Sequence, residues 1–90
     1  MLKTVSIIVT GKVQGVWYRQ SAKEQATELG VTGNVRNQPD GSVAIIATGL
    51  TNQLDQFIEL CRQGPPRALV TNVEVSELPL RSYDRFVIER

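Results

Sequence analysis

The spacing of apolar residues changes along this chain between that of a strand and that of a helix. Near the N-terminus every second residue is apolar: Val5, Ile7 and Val9. This spacing predicts a strand with one buried face, and Gly11 is expected to end it. The apolar residues then recur at intervals of four, four and three: Tyr18, Ala22, Ala26 and Leu29. These intervals predict a helix over about residues 19–29, with Gly30 as its C-terminal cap.

The same change of spacing occurs a second time. A short strand at about residues 32–38 and an alternating segment from Val43 to Ala47 flank Pro39-Asp40-Gly41, which predicts a hairpin. The next apolar residues have helical spacing: Leu54, Phe57, Ile58 and Cys61. Thr51 is the expected N-cap of this second helix, and Gly64 with two prolines ends it. Two further strands follow, one with Leu69, Thr71, Val73 and Val75 facing the core, the other with Phe86 and Ile88.

This order of elements favours one architecture. Two helices that each have one apolar stripe can both bury it on the same face of a single sheet. We therefore predict an α+β fold, a ferredoxin-like two-layer sandwich with two helices on one face of a mainly antiparallel sheet of four to five strands. The other face of the sheet is expected to be open to water. A length of 90 residues fits a single domain over residues 1–90.

The composition limits the kinds of partner and catalytic group that the chain can have. Ten lysines and arginines against nine aspartates and glutamates give a net charge of +1, so there is no bulk positive field for nucleic acid or an anionic membrane. The chain has no histidine and one cysteine, which removes the commonest metal ligand and general base and excludes an internal disulfide. We predict no metal and no cofactor. The N-terminus resembles neither a secretory signal nor a membrane span, so we expect a cytoplasmic protein.

The segment between the first strand and the first helix has the features of an anion site. Gly11 and Gly15 allow a tight turn in which successive backbone N–H groups face one concave space. The helix adds unpaired N–H groups and the positive end of its dipole. Arg19, at its first turn, brings a guanidinium that can hold two oxygens. A phosphate or sulfate ion would fit there, although the spacing matches neither a Walker loop nor a dinucleotide fingerprint.

The same residues also have simpler interpretations. Glycines after a strand most often only turn the chain, and an arginine at a helix start is usually solvated. Asn37, which precedes the Pro-Asp-Gly turn, is by itself more typical of a turn former. Lys12 and Arg36 are interpreted as surface charges, and Cys61 as a buried packing residue. Trp17 is expected to pack the loop against the core, with stacking on a substrate as the alternative.

Two motifs of this sequence resemble the signatures of the acylphosphatase family. The first is GKVQGVWYR at residues 11–19, and the second is GNVRNQPDGSV at residues 33–43, followed by Gly49. The resemblance covers the whole chain, including Gly64-Pro65 and the closing Phe86-Val87-Ile88. The sequence departs from the family at Asn34, where an aromatic residue is common.

This resemblance implies a function and a site. Members of the family hydrolyse acyl phosphates, which are carboxyl-phosphate anhydrides, to a carboxylate and inorganic phosphate without a metal. By this resemblance Arg19 and the loop would bind the phosphate of a small-molecule acyl phosphate, and Asn37 would position the attacking water. The loop comprises Gly11, Lys12, Val13, Gln14, Gly15 and Val16. We expect a monomer that binds neither nucleic acid nor a membrane.

Two other classes of function are alternatives. The first is a receptor of the same fold that binds phosphate or an acyl phosphate without turnover; the presence of both motifs favours the enzyme. The second is an RNA-binding domain. Such a domain displays aromatic residues on the open strands of its sheet, and the strand segments here have almost none.

Overall fold

Strands and helices follow one another in the predicted order. The computed structural model describes residues 1–89, and these form five strands and two helices. The strands are β1 (Leu2–Lys12), β2 (Thr32–Asn37), β3 (Val43–Leu50), β4 (Leu69–Leu78) and β5 (Phe86–Ile88). The helices are α1 (Tyr18–Leu29) and α2 (Thr51–Gln63). The strands form one sheet in the order β4-β1-β3-β2-β5, antiparallel except for the pair β2–β5. The predicted ferredoxin-like α+β sandwich is confirmed.

The core lies between the sheet and the two helices. Helix α1 packs on β2 and β5, and α2 packs on β1, β3 and β4. The helices bury most of the residues that their spacing predicted: Tyr18, Ala22 and Ala26 from α1, and Leu54, Phe57 and Cys61 from α2. The other two, Leu29 and Ile58, are partly buried and pack against this core. The rings of Phe57 and Phe86 meet edge to face with their centroids 5.7 Å apart. At 12 and 13 residues, neither helix reaches the roughly 20 residues of a membrane span.

The register of the sheet brings three strand ends together. Val43 of the central strand β3 pairs with Val9 of β1 on one side and with Asn37 of β2 on the other. Since β1 and β2 are both antiparallel to β3, and β5 is parallel to β2, these three strands run in the same direction. Their C-terminal ends therefore lie at the same end of the sheet, where the chain leaves β1 and enters α1.

Strand β4 contains a bulge that the alternation of its sequence does not predict. Thr10 pairs with Asn72, whereas the residue after Thr10 pairs with Val70, so Thr71 has no partner on β1. An extra residue moves the preceding residues to the other face of the strand. The prediction that Leu69 and Thr71 face the core is therefore wrong: Leu69 is 65% exposed, and Val70 packs against the core instead.

Strand β1 also extends farther than predicted. It continues through Gly11 to Lys12, so Gly11 does not end it. Gly11 has φ +124°, and a Cβ at this position would collide with the carbonyl oxygen of Leu69 on β4. Glycine is needed here for the close approach of the two strands at the bulge.

The N-cap of α2 lies one residue earlier than predicted. Leu50 is the cap and Thr51 is the first helical residue. The backbone N–H of Leu50 donates to Oε1 of Gln53 at 2.8 Å, which supplies the cap interaction from inside the helix. Strand β3 thus passes into α2 without a connecting loop, and Thr51 is not required as a cap.

The outer face of the sheet is covered at one end. Thr4 and Thr48 alternate with core residues and so face away from the helices, yet both are buried. Their hydroxyl oxygens lie 2.6 Å apart, and the backbone of Arg81 donates to one and accepts from the other. Because β4 and β5 lie at opposite edges of the sheet, their connection has to cross it. The prediction of a fully open face is wrong at this end.

Candidate active site

A cavity of about 420 Å³ opens at the end of the sheet where β1, β2 and β5 terminate. Its wall is built from the loop after β1, the first turn of α1 and the last residues of β2 and β5. The residues of the wall are Val13, Gly15, Trp17, Tyr18, Arg19, Gln20, Asn37 and Ile88. The volume falls within the range of about 300–1,000 Å³ typical of pockets for small organic ligands.

The loop after β1 turns sharply at two positions before the helix begins. Gly15 has φ +72° with open space where a Cβ would be. Trp17 has the same φ of +72° and is the N-cap residue of α1. A residue with a Cβ in this left-handed conformation costs about 1–2 kcal/mol relative to the right-handed one. The loop therefore stores strain at the cavity wall.

Helix α1 begins at the wall with unpaired backbone donors. The first intrahelical bond runs from the N–H of Ser21 to the carbonyl of Trp17, at 3.1 Å. The N–H groups of Tyr18, Arg19 and Gln20 precede it, and no side-chain hydrogen bond from the N-cap residue satisfies them. These donors and the positive end of the helix dipole give this part of the cavity an affinity for anions.

Arg19 is half-buried at the start of α1. Its Nη1 donates to the carbonyl oxygen of Glu89, just after β5, at 3.3 Å. Within residues 1–89, this is the one hydrogen bond of the guanidinium and no carboxylate forms an ion pair with it. The contact with Glu89 orients the side chain across the end of the sheet, and the remaining donors are available to a ligand.

Asn37 is the last residue of β2 and lies in the same wall. Its Oδ1 is buried, and it is the one buried side-chain polar atom of the described residues that has no hydrogen-bond partner. A buried acceptor without a donor costs about 1–3 kcal/mol. Asn37 lines the cavity, and the terminal torsion of asparagine is soft, so its amide can rotate to meet a ligand bound there.

Gln14 joins the loop to the hairpin that bears Asn37. Its Nε2 donates to the carbonyl oxygens of Gln38, at 2.8 Å, and Ser42, at 2.9 Å. The hairpin is itself tied by Asp40, whose Oδ1 accepts from the Ser42 hydroxyl and backbone N–H. These bonds, the hydroxyl foremost, hold the pKa of Asp40 below its ordinary value. Asp40 thus organises the turn, as its sequence context predicts.

Tyr18 anchors the start of α1 to α2. Its hydroxyl donates to the backbone carbonyl of Cys61 at 2.7 Å. Burial raises the pKa of the Tyr18 phenol above its ordinary value and the pKa of the Cys61 thiol to about 12. Both groups are neutral at physiological pH, and Cys61 is a packing residue, as predicted. In the part of the chain that the structure describes, no three His, Cys, Asp or Glu residues cluster as metal ligands.

A comparison with protein families decides the identity of the chain. The acylphosphatase family model matches residues 5–88. The chain belongs to the acylphosphatase family. It is 51% identical over 77 residues to the acylphosphatase of Methylococcus capsulatus, a match that covers 86% of this chain and 84% of that protein. Acylphosphatases are hydrolases that act on acid anhydrides.

Solved acylphosphatase structures have the same fold. The acylphosphatase of Coxiella burnetii superposes with a TM-score of 0.94 at 35% sequence identity, covering 98% of this chain and 93% of that one. The acylphosphatase of Bacillus subtilis superposes with a TM-score of 0.90 at 39% identity, and all of both chains is covered.

The two acylphosphatase motifs meet at the cavity. The residues predicted for the site that line its wall are Val13, Gly15, Arg19 and Asn37.

Four predicted loop residues lie outside the wall. Gly11 and Lys12 belong to β1, Gln14 bonds to the hairpin, and Val16 is buried in the core. Lys12 and Arg36 are exposed, in agreement with their interpretation as surface charges.

Four residues of the wall were not predicted for the site. Trp17 was expected to pack the loop against the core but is mostly exposed, and Tyr18 was predicted only as a core residue of α1. Gln20 follows Arg19 on the first turn of α1, so its position after the anion loop was the available signal. Ile88 carried no signal, since only the parallel pairing of β5 with β2 brings it to the cavity. Asn34, the departure from the acylphosphatase motif, alternates with buried Gly33 and Val35 and therefore faces away from the helices. The missing aromatic residue leaves no gap in the core.

Proposed function

We propose that this chain is an enzyme that hydrolyses small-molecule acyl phosphates to a carboxylate and inorganic phosphate. The loop after β1 and Arg19 hold the phosphate, and Asn37 orients the attacking water. The observation that carries the proposal is the convergence of Arg19, Asn37 and the start of α1 on one cavity. The relatives, which are named acylphosphatases, support the same reaction class.

Phosphate binding rests on local donors. The net charge of +1 supplies little attraction for an anion. The unpaired N–H groups of the loop and the helix start bind the equatorial oxygens, and the guanidinium of Arg19 holds two oxygens at once. These groups stabilise the charge on the phosphoryl group as it transfers.

Water positioning rests on the Asn37 amide. An amide is too weak a base to remove a proton, but its oxygen accepts a hydrogen bond from water and aims the water at phosphorus in line with the leaving group. The buried and unpartnered Oδ1 supports this role, because a bound water would supply the missing donor. A phosphate oxygen of the substrate takes up the proton that the water loses.

The leaving group explains why no protein acid is needed. An acyl phosphate departs as a carboxylate, whose conjugate acid has a pKa of about 4, so it leaves unprotonated at neutral pH. A phosphate monoester departs as a much more basic alkoxide. The enzyme should therefore hydrolyse acyl phosphates and leave ordinary monoesters intact.

The test is hydrolysis of acetyl phosphate by purified protein in the presence of a chelator. Arg19→Ala is expected to weaken the binding of inorganic phosphate, measured as competitive inhibition, and to lower kcat/KM about 10³-fold or more. Asn37→Ala is expected to lower kcat about 10²-fold with a smaller change in phosphate binding.

Two exposed or outward-facing residues provide matched controls. Arg36→Ala removes a guanidinium next to Asn37 in sequence but outside the cavity, and Asn34→Ala removes an amide from the outer face of β2. Both should retain the parent rate. Phosphate binding without turnover in the parent would identify a receptor, and full activity in a folded Asn37→Ala variant would remove Asn37 from the mechanism.

A further inference from the structure

Trp17 combines three properties that its backbone role does not require. It is the one residue other than glycine with a positive φ among residues 1–89. Trp17 lines the cavity and is 71% exposed, the largest exposure of any aromatic residue described. A glycine would make the same backbone turn without strain and without presenting an indole to water. The indole must therefore contribute something other than the turn or the core.

The surroundings of Trp17 divide the cavity into two parts. Arg19, Asn37 and the helix N–H groups form a polar part that suits a phosphate. Trp17 and Ile88, which is half-buried at the end of β5, add apolar surface to the same wall. A volume of about 420 Å³ is larger than a phosphate group requires. The remainder of the substrate has to occupy the space beside these apolar residues.

We infer that Trp17 is a specificity-determining residue that packs against the acyl group of the substrate and favours aromatic acyl groups over small ones. This inference rests on the proposed hydrolysis of acyl phosphates. An indole offers a large rigid face that gains contact area at little cost in conformational entropy, and a ring stacked on it adds a specific aromatic interaction. The acyl group of acetyl phosphate has one methyl group and covers little of this face, whereas that of benzoyl phosphate covers much of it.

The kinetic test compares benzoyl phosphate with acetyl phosphate in the parent, Trp17→Gly, Trp17→Phe and Leu80→Ala. Glycine suits the left-handed conformation, so the Trp17→Gly variant retains the turn. The ratio of kcat/KM for benzoyl phosphate to that for acetyl phosphate should fall roughly fivefold in Trp17→Gly, mainly through a higher KM for benzoyl phosphate. Trp17→Phe should restore part of the ratio because it keeps an aromatic ring.

Leu80→Ala is the matched control, since Leu80 is an apolar residue 60% exposed outside the cavity. It should leave the ratio unchanged. An unchanged ratio in Trp17→Gly, with the parent active, would overturn the assignment of Trp17 and leave the proposed reaction standing. Turnover of neither substrate by the parent would instead overturn the proposed function.

A second measurement does not depend on turnover. Trp17 is the only tryptophan in the chain, so intrinsic fluorescence reports on this side chain alone. Benzylphosphonate, which is not hydrolysed, should shift the emission to shorter wavelength as it covers the indole, and inorganic phosphate should shift it much less. Equal shifts with both ligands would contradict contact between Trp17 and the organic group.

Discussion

Asn37 leaves a buried amide oxygen without a donor, and Trp17 holds a backbone conformation that favours glycine. Each feature costs stability when the cavity holds no ligand, and neither is explained by packing. Both belong to the wall of one cavity. Local costs of this kind persist where a ligand or a reaction makes use of them, and here both fall on positions that would contact the substrate.

Gln14 is a third single residue with a specific role, since it holds the loop in place. Gln14→Ala removes two hydrogen bonds to the hairpin, at 2.8 and 2.9 Å. We expect a loss of about 1–2 kcal/mol in the free energy of unfolding, measured by urea denaturation. We also expect a fall in kcat of about tenfold, because the loop and Asn37 would no longer be tied together.

Gln14→Glu provides a sharper comparison. It keeps the shape of the side chain but replaces the donor with an acceptor that faces two carbonyl oxygens, so it should destabilise at least as much as alanine. Gln56→Ala, at an exposed position of α2, should change neither stability nor rate by a measurable amount. A Gln14→Ala variant as stable and active as the parent would show that the loop is positioned by other contacts.

The loop is a short connection between two well-anchored elements. On one side, β1 is held against β4 through the bulge at Thr71. On the other, α1 is held against α2 by the hydrogen bond from Tyr18 to the carbonyl of Cys61. A loop whose flanking strand and helix are both held by tertiary contacts can keep strained residues such as Trp17 in one conformation.

The anchor on β1 can be tested at Gly11. In Gly11→Ala the added Cβ would meet the Leu69 carbonyl and lie 2.8 Å from the backbone nitrogen of Thr71. We expect a loss of at least about 2 kcal/mol in unfolding free energy. Gly41→Ala is the matched control, because Gly41 also has a positive φ but open space around its Cβ position. Equal effects at both sites would mean that the strands separate easily at the bulge.

The contact between the helices predicts a loss of stability in alkali. The unfolded thiol of Cys61 ionises near pH 9.0 and the unfolded phenol of Tyr18 near pH 10.0, whereas burial raises both pKa values in the folded state, that of Cys61 to about 12. The stability that comes from the neutral groups is therefore fully present below pH 9 and falls as the pH rises from there towards the folded pKa values. The slope is at most about 1.4 kcal/mol per pH unit for each group.

Urea denaturation under reducing conditions at pH 8, 10 and 11 measures this slope. Cys61→Ala removes one of the two titrating groups and should make the decline between pH 9 and 11 shallower, even if its stability at pH 8 is lower. Parallel declines in the parent and the variant would mean that the thiol does not contribute.

At the scale of the whole molecule, the order of strands in the sheet assembles the site. The first motif lies on the end of β1 and the start of α1, and the second lies on β2 and its turn. Strand β3 lies between β1 and β2 in the sheet and is antiparallel to both, so the C-terminal ends of β1 and β2 lie at the same end of the sheet, on either side of β3. Strand β5 pairs parallel to β2 and brings Ile88 and the Glu89 carbonyl to the same end of the sheet.

The whole chain also predicts the pH dependence of the reaction. It contains no histidine, burial raises the pKa of Cys61 to about 12, and hydrogen bonds hold the pKa of Asp40 below its ordinary value. The two residues assigned to the reaction are an arginine and an asparagine, and neither side-chain type acts as a proton donor or acceptor near neutral pH. We therefore expect kcat for acetyl phosphate to vary less than about threefold between pH 6 and 8. A limb of unit slope in that interval would reveal a titrating group that the mechanism lacks.

Much of the fold follows from local patterns. The spacing of apolar residues placed both helices within one residue of their observed starts, because each helix buries a single stripe and its caps are local. The strand pattern failed at Leu69, where a bulge changes the face without changing the apolar character of the segment. It also failed to indicate that the outer face is covered at Thr4 and Thr48, since that cover comes from a segment near Arg81, distant in sequence.

The sequence by itself determined the elements, their order and the resemblance to acylphosphatases, and it led to the prediction of an anion site in the loop, because these depend on neighbouring residues and on motifs that stay within one segment. Only the tertiary structure decided that Asn37, Arg19 and Ile88 share a cavity, that the oxygen of Asn37 has no donor, and that Trp17 is strained and exposed. The physical reason is that strand pairing and helix packing join residues far apart in the chain, and backbone strain and exposure are properties of the assembled fold.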